Sequence, residues 1–295
     1  MSAAKTVSTP YPRLNEVFDR LRTTLGNFIR ENRISHEEYR RAVAFLTQVG
    51  QKNEVSLLFD VFLEVMVDEV DNNGRPGTIT TIEGPFYVPD APLMKSPCVL
   101  PHRPVEPGPT LFFSGTVRSL DGDGLAGAVI DLWQSDAQGC YSHFDIPRAE
   151  APYNLRARVV ADDNGKFDVE TRRPGPYEIP KAGPTGALLA AMGRHAWRPA
   201  HLHMKVECQG HRTLTTQLFV KNDPWIDSDV VVGAVKKSLI VDPIGHDDPA
   251  EMAQKNMPEP YYTLSYDFVL EPSVAETAPD TRKSAEMAVE ARPRR

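Results

Sequence analysis

The sequence predicts a mainly β chain, an antiparallel β-sandwich preceded by an N-terminal helical region. Three observations carry that expectation. Apolar side chains recur every three or four residues before Val70 but alternate with polar ones from Leu111 onward. The alternating runs are short and separated by turns rich in Gly and Asp, such as Asp121-Gly122-Asp123-Gly124. The 26 prolines concentrate between Pro76 and Pro109 and between Pro174 and Pro199, which suits ordered turns and short strands better than a helical bundle.

Composition narrows the function. Of the 295 residues, 33 are Lys or Arg and 40 are Asp or Glu, a net charge of -7 that argues against nucleic acid as the main partner. Cys98, Cys140 and Cys208 form no CxxC pair, as expected of unpaired thiols in a reducing compartment. Met1 to Pro10 lacks the pattern of a signal peptide, and no apolar window is long enough to span a bilayer. The expected location is the cytoplasm.

Residues 1–10 read as a loose arm. The helical region is expected over residues 11–75, beginning with the amphipathic spacing of Leu14, Val17, Phe18, Leu21, Leu25, Phe28 and Ile29. Ser35 and Glu38 form a capping box that opens a second helix, with Tyr39, Val43, Leu46 and Val49 on one side. A third helix is expected from Glu54 to Val70, with Leu58, Val61, Phe62, Val65 and Met66 as its stripe. Such stripes suit either a small bundle or contact with a partner subunit.

Asp71 to Gly77 ends the helical pattern, and a strand domain is expected over 76–270. Leu111–Val117 and Val129–Trp133 read as strands joined by a hairpin turn at Asp121–Gly124. Arg156–Val160 and Phe167–Thr171 follow, then the strand through His203, Leu214–Val220 and a last strand from Tyr262 to Leu270. The tail, 271–295, is dominated by Pro, Ala, Glu, Lys and Arg and is expected to stay disordered.

The most pointed stretch is Arg198-Pro199-Ala200-His201-Leu202-His203-Met204-Lys205-Val206. On a strand, His201, His203 and Lys205 share one face while Leu202, Met204 and Val206 take the other, so two imidazoles project side by side. That is half a metal site on one rigid element, although a pair of hydrogen-bonded histidines would look the same. Acidic partners are scarce nearby, with only Glu207 on that face. Tyrosines stand at turn positions instead: Tyr141 just past a strand end, and Tyr177 within Pro174-Gly175-Pro176-Tyr177-Glu178-Ile179-Pro180. Singly, either is an ordinary half-buried aromatic. As deprotonated ligands, two phenols are hard anionic donors that favour iron(III).

Taken together, these segments resemble the intradiol ring-cleavage dioxygenases of the catechol 1,2-dioxygenase type. The resemblance rests on Asp131-Leu132-Trp133-Gln134-Ser135-Asp136-Ala137-Gln138-Gly139-Cys140-Tyr141, the proline-rich turn around Tyr177, Arg198-Pro199-Ala200-His201-Leu202-His203, and Leu214-Thr215-Thr216-Gln217. It runs from about Val17 to Leu270. It implies one non-haem Fe(III) per chain held by Tyr141, Tyr177, His201 and His203, and cleavage of a catechol by O₂ between its two hydroxylated carbons to a cis,cis-muconate. It further implies that Tyr177 leaves the metal when substrate binds, that Arg198 stabilises charge on the substrate, and that Gln217 lies near the iron. His195 and His143 are left as structural residues. By family position the substrate pocket is lined by Val65, Asp68, Ile82, Gly84, Pro85, Phe86, Val231 and Val232, although the valines would serve equally as core. Catechol is the expected substrate, with hydroxyquinol and chlorocatechols as alternatives. The resemblance also implies a homodimer through the N-terminal helices, with a phospholipid between them.

Two rivals remain at this stage. Gly115-Thr116-Val117 through Ala128–Trp133 also resembles prealbumin-like modules that only bind ligands, and the histidine pair alone fits an iron(II) or zinc site completed by a carboxylate. Convergence of the two phenols on the two imidazoles separates these from the first reading.

Overall fold

The computed structural model describes residues 11–147 and 152–273. The expected N-terminal arm and residues 274–295 of the tail lie outside that range. The chain divides into two compact units at Glu54/Val55.

The first unit carries α1 (Pro12–Glu31) and α2 (His36–Gln51). Pro12 suits the first turn of α1, where its missing N–H leaves no orphan. Ser35 opens α2 as the capping box predicted: its hydroxyl accepts from Glu38 N–H at 3.2 Å, and Glu38 Oε2 accepts from Ser35 N–H at 2.8 Å. The apolar stripe of α1 is exposed among the described residues, with Leu14 64 % and Phe18 61 % exposed.

The second unit begins with α3 (Val55–Phe59), a single π-helical turn at Asp60–Glu64, and α4 (Val65–Asn72), continuous in backbone. The expected third helix is therefore present but interrupted. A π turn adds a residue and rotates the face that follows it. Leu58, Val61 and Val65 are buried as the stripe predicts, whereas Met66 is 60 % exposed.

The strands follow as β1 (Leu93–Lys95), β2 (Cys98–Val99), β3 (Thr110–Ser119), β4 (Val129–Gln134), β5 (Arg156–Val160), β6 (Lys166–Arg172) and β7 (Tyr177–Glu178). After α5 (Pro184–Ala191) come β8 (Trp197–Arg198), β9 (His201–Glu207), β10 (Leu214–Val220), β11 (Ile240–Val241) and β12 (Ile244–His246). Beyond α6 (Pro249–Gln254) the chain ends its described part with β13 (Tyr261–Ser265) and β14 (Phe268–Leu270). One sheet has the order β1-β5-β4-β9-β10-β11 and the other β12-β13-β3-β6-β2, with β14 also on β3, while β7 and β8 pair by themselves.

The sandwich is present, but its sheets are mixed. The inner ladders β5-β4-β9-β10 and β3-β6 are antiparallel, whereas β1, β11, β13, β14 and β2 join in parallel. Alternation of side chains is the same for either direction, so periodicity could not reveal it. The turn at Asp121–Gly124 also does other work than expected. It reverses the chain, with Ser119 N–H donating to Asp123 O at 2.8 Å, but β3 pairs with β6 and β4 with β5 and β9. It is a passage between sheets and not the tip of a ladder.

Alternate residues of both sheets meet in one core: Phe113, Val117 and Phe167 from one, Ile130, Leu132, Leu202, Met204 and Leu218 from the other. Leu132 stands opposite Met204, and Leu202 opposite Leu218. The other face of β9 carries His201 and His203, and it too is buried. Phe113 is fully buried and packs edge-on against Phe167 and Phe268. Phe113→Ala should therefore cost about 3–5 kcal/mol in denaturant unfolding, and a loss under about 1 kcal/mol would mean that this core does not couple the sheets.

Candidate metal centre

Three neighbouring strands fix the imidazoles. His203 on β9 lies opposite Trp133 of β4 on one side and Gln217 of β10 on the other, and His201 lies opposite Phe219. Trp133 stacks on the His203 ring at 4.8 Å with planes 10° apart, which sets the plane of that imidazole. His201 Nδ1 lies 2.6 Å from the Pro199 carbonyl. A carbonyl only accepts, so Nδ1 carries the proton and Nε2 presents a lone pair. The two Nε2 atoms are 2.9 Å apart.

The loop beyond β4 delivers Tyr141. Asp136 Oδ1 accepts from the N–H groups of Gln138 and Cys140, both at 2.9 Å, and so curls the loop. Gly139 adopts φ 84° at the tightest point, where an added Cβ would lie 2.5 Å from the Pro176 carbonyl and 3.1 Å from Tyr177 Cβ. Only glycine lets the two tyrosine-bearing segments approach so closely. Tyr141 Oη then lies 3.2 Å from His203 Nε2. Tyr177 is set by the β7–β8 ladder, opposite Arg198. Its ring is 5.1 Å from that of Tyr141 and 5.5 Å from that of His201, and its hydroxyl finds no hydrogen-bond partner among the described residues.

All four side chains are buried. Burial and the Arg198 charge hold His201 neutral, well below its usual range, and burial with His201 and Arg198 does the same for His203. Both phenols are pushed upward, chiefly by burial, while Arg198 pulls each of them down. A bound cation inverts that balance, because it favours the anionic phenol and the neutral imidazole together. Among the described residues no three His, Cys, Asp or Glu side chains gather as a metal site requires. The carboxylate-completed site considered from sequence thus finds no third ligand there, and the convergent set is instead two phenols with two imidazoles.

Arg198 is buried beside them. Asp229 Oδ1 accepts from its Nε at 3.1 Å and Asp229 Oδ2 from its Nη2 at 3.0 Å, Gln217 Oε1 accepts from Nη2 at 3.0 Å, and Nη1 is left unpartnered. Burial works against the cation, but Asp229 and Tyr177 more than offset it and hold the proton firmly. Gln217 Nε2 in turn donates to the Ile82 carbonyl at 2.7 Å, and Asp229 Oδ1 accepts from Val231 N–H at 3.0 Å.

Several of the expected pocket residues sit against this cluster. Phe86 stacks on Tyr141 at 4.5 Å and meets Tyr177 edge-on at 5.5 Å. A Cβ at Gly84 would be 3.4 Å from His203 Cε1. Ile82 and Val231 are buried and tied to Gln217 and Asp229, and Val65 is buried near Gly233. Pro85 is half-buried. Asp68 lies along α4 within the influence of Asp71 and Lys236, and Val232 is 62 % exposed. His195 and His143 stand outside the donor cluster: His195 Nδ1 accepts from Trp197 N–H and its Nε2 faces Ser228 Oγ, while His143 Nε2 accepts from Tyr153 N–H. Sequence reading gave no role to Asp229, Arg156, Trp133 or Gly139. Asp229 is required by the burial of Arg198, which needs a counter-ion and which only the fold reveals.

A family model described as "Catechol dioxygenase N terminus" matches residues 11–78, and one described as "Dioxygenase" matches residues 82–272. The chain belongs to the intradiol ring-cleavage dioxygenase family. It is 42 % identical over 231 residues to chlorocatechol 1,2-dioxygenase of Rhodococcus opacus, covering 78 % of this chain and 89 % of that one. It is 35 % identical over 269 residues to catechol 1,2-dioxygenase of Acinetobacter baylyi, covering 88 % and 85 %. Among solved structures, that of 3-chlorocatechol 1,2-dioxygenase from Rhodococcus opacus superposes with a TM-score of 0.79 at 38 % identity, over 88 % of this chain and 99 % of that one. Catechol 1,2-dioxygenase of Acinetobacter gives a TM-score of 0.80 at 33 % identity, over 90 % and 88 %. As an intradiol dioxygenase of the catechol 1,2-dioxygenase type, the protein opens catechol-class rings between the two hydroxylated carbons. A non-catalytic binding module is thereby set aside. The family uses non-haem Fe(III).

Two outcomes follow from the charges in this dioxygenase. Asp229→Asn leaves the buried Arg198 without its counter-ion and should cost about 3–5 kcal/mol in denaturant unfolding; an unchanged stability would mean that the pair is not formed. Glu64, in the π turn, is pushed up to about 7 by burial and by the neighbouring Asp60 and Asp68. The folded state keeps this proton while the unfolded chain releases it near 4.5, so stability falls as pH rises between those values. Glu64→Gln should remove part of that fall, as compared by unfolding midpoints near about pH 5 and about pH 8; an equal fall in the variant would place Glu64 in water.

Proposed function

We propose that Tyr141, Tyr177, His201 and His203 hold one ferric ion per chain and that the enzyme converts catechol and O₂ to cis,cis-muconate. The observation that carries this reading is the convergence of the donors: Nε2 to Nε2 at 2.9 Å, Tyr141 Oη 3.2 Å from one of them, and a buried Tyr177 hydroxyl without a partner. The donor chemistry fits the ion, since two phenolates supply hard anionic charge and two neutral imidazoles complete the set. The Pro199 carbonyl orients His201 with its lone pair inward, as an outer partner of a metal-bound imidazole does. When bound, ferric iron would supply a Lewis acid that favours the deprotonated catechol and makes its ring reactive toward O₂.

The protein's own groups do the rest. As the tyrosinate, Tyr177 Oη would be the group to take a proton from a substrate hydroxyl, becoming the neutral phenol as it leaves the metal. Arg198 Nη1 is the one unpartnered nitrogen of a guanidinium otherwise held by Asp229 and Gln217, and it stabilises negative charge growing on the substrate. Ile82, Gly84, Phe86 and Val231 form apolar walls, with Val65, Asp68, Pro85 and Val232 as the outer lining. Similarity to chlorocatechol 1,2-dioxygenase of Rhodococcus opacus supports chlorinated catechols as a second substrate group. A methyl-sized difference in such a pocket changes discrimination by only about 1–3 kcal/mol.

We also propose a homodimer in which the exposed stripes of α1 and α2 are covered, with room for a phospholipid acyl chain between them. Leu14, Phe18, Leu21 and Leu25 are too large an apolar row to leave in water. Cys98, Cys140 and Cys208 are all unpaired, which supports a reducing, cytoplasmic location. No helix among the described residues is long and apolar enough to cross a membrane.

The purified enzyme should contain iron, be red through tyrosinate-to-iron charge transfer, and take up about one O₂ per catechol. Tyr141→Phe should lose most of the visible band and lower kcat by at least about a hundredfold. Initial rates on catechol, methylcatechol, chlorocatechol and hydroxyquinol rank the substrates. A colourless enzyme, inactive after ferric loading, would refute the reading.

A further inference from the structure

Arg156 is a second buried guanidinium, 1 % exposed, on β5 opposite Trp133. It differs from Arg198 in its partners. Nε donates to Ser142 Oγ at 2.7 Å, Nη2 to the Ser142 carbonyl at 3.1 Å, and Nη1 to the Phe86 carbonyl at 2.7 Å. All three acceptors are neutral. Among the described residues no carboxylate lies within ion-pair distance of it. Asp131 acts on it from farther away, and that carboxylate already accepts from the Tyr87 hydroxyl at 3.0 Å.

A cation in such a place is costly unless an anion is near. The three acceptors are also placed with purpose. Ser142 follows Tyr141 in the chain, and Phe86 stacks on the Tyr141 ring at 4.5 Å. The guanidinium carbon itself lies 5.8 Å from the centre of that ring. One rigid fork thus grips the neighbour of Tyr141 along the chain and its neighbour in space.

We propose that Arg156 is the positioning residue of Tyr141, fixing the phenol between Ser142 and Phe86 and supplying the buried counter-charge of the tyrosinate it becomes in the iron-loaded enzyme. The proposal rests on the reading of Tyr141 as a metal ligand. Arg198 is set apart from it because its charge is matched by Asp229 and its Nη1 is left without a partner. Arg156 spends one bond from each of its three nitrogens on Ser142 and Phe86 and acts through Tyr141.

Lysine and methionine at this position separate the two roles, since Lys keeps the charge but loses the fork and Met loses both. A nearby cation lowers the energy of the phenolate electrons, so its loss reduces the energy needed to move one to the iron. Ferric-loaded Arg156→Met should therefore absorb at longer wavelength than the parent, with kcat and iron retention lower by about 10–100-fold. Arg156→Lys should bring the band back to the parent position while iron retention stays weakened. A folded, loaded Arg156→Met with the parent band and kcat overturns the proposal. Should Met fail to fold, Arg156→Lys decides it: a band displaced from the parent, or parent-like iron retention, overturns the charge or the fork respectively. A parent enzyme that binds iron without a tyrosinate band would instead fault the ligand assignment, which keeps the two failures apart.

Discussion

Two imidazole nitrogens 2.9 Å apart, in a place that water does not reach, constrain everything around them. Neither can be left unsatisfied at low cost, and each must be held neutral so that its lone pair is free. β9 places them by alternation alone, with His201 and His203 on one face and Leu202 and Met204 in the core behind. The flanking strands then limit what can happen at that face. Trp133 fixes one ring plane, Gln217 leads outward to Arg198, and the chain leaving β4 brings Tyr141 back over the strand. The sandwich supplies a rigid floor, and the loops above it supply the chemistry.

Charge is arranged in two layers about that floor. Asp229 neutralises Arg198 and also receives the Val231 N–H, while Gln217 ties Arg198 to the Ile82 carbonyl. Ile82 and Val231 therefore both hang from one guanidinium, so on the proposed reading of the pocket a change at Asp229 or Gln217 would alter substrate fit together with transition-state charge. Arg156 plays the complementary part on the side of Tyr141, with neutral acceptors throughout. Preorganised charges of this kind need not rearrange when the substrate's own charge develops.

Much of this was legible in the sequence, and unevenly. Alternation from Pro199 onward placed His201 and His203 on one face because strand periodicity is local. The capping box at Ser35 was legible for the same reason. Tyr141 and Tyr177 stood out by their turn positions, but their joining the histidines came only through resemblance, since each reaches them across a fold that pairs β7 with β8 and β4 with β9. The parallel edge strands left no local mark, because strand direction changes neither residue type nor period, and the π turn at Asp60–Glu64 shifts the stripe over too few residues to stand out. Gly139 shows why some site residues escape notice: its requirement comes from Pro176 and Tyr177, which lie on another segment. Asp229 and Arg156 earn their roles from burial, a property of the folded chain alone.

The central claim is that both phenols and both imidazoles bind the same oxidised metal. Resonance Raman spectroscopy of the ferric-loaded enzyme, excited within its visible band, tests this most directly. Enhanced ring vibrations of two inequivalent tyrosinates are expected, one set of which disappears in Tyr177→Phe while the other persists. Iron bound in stoichiometric amount without any enhanced phenolate vibration would contradict it.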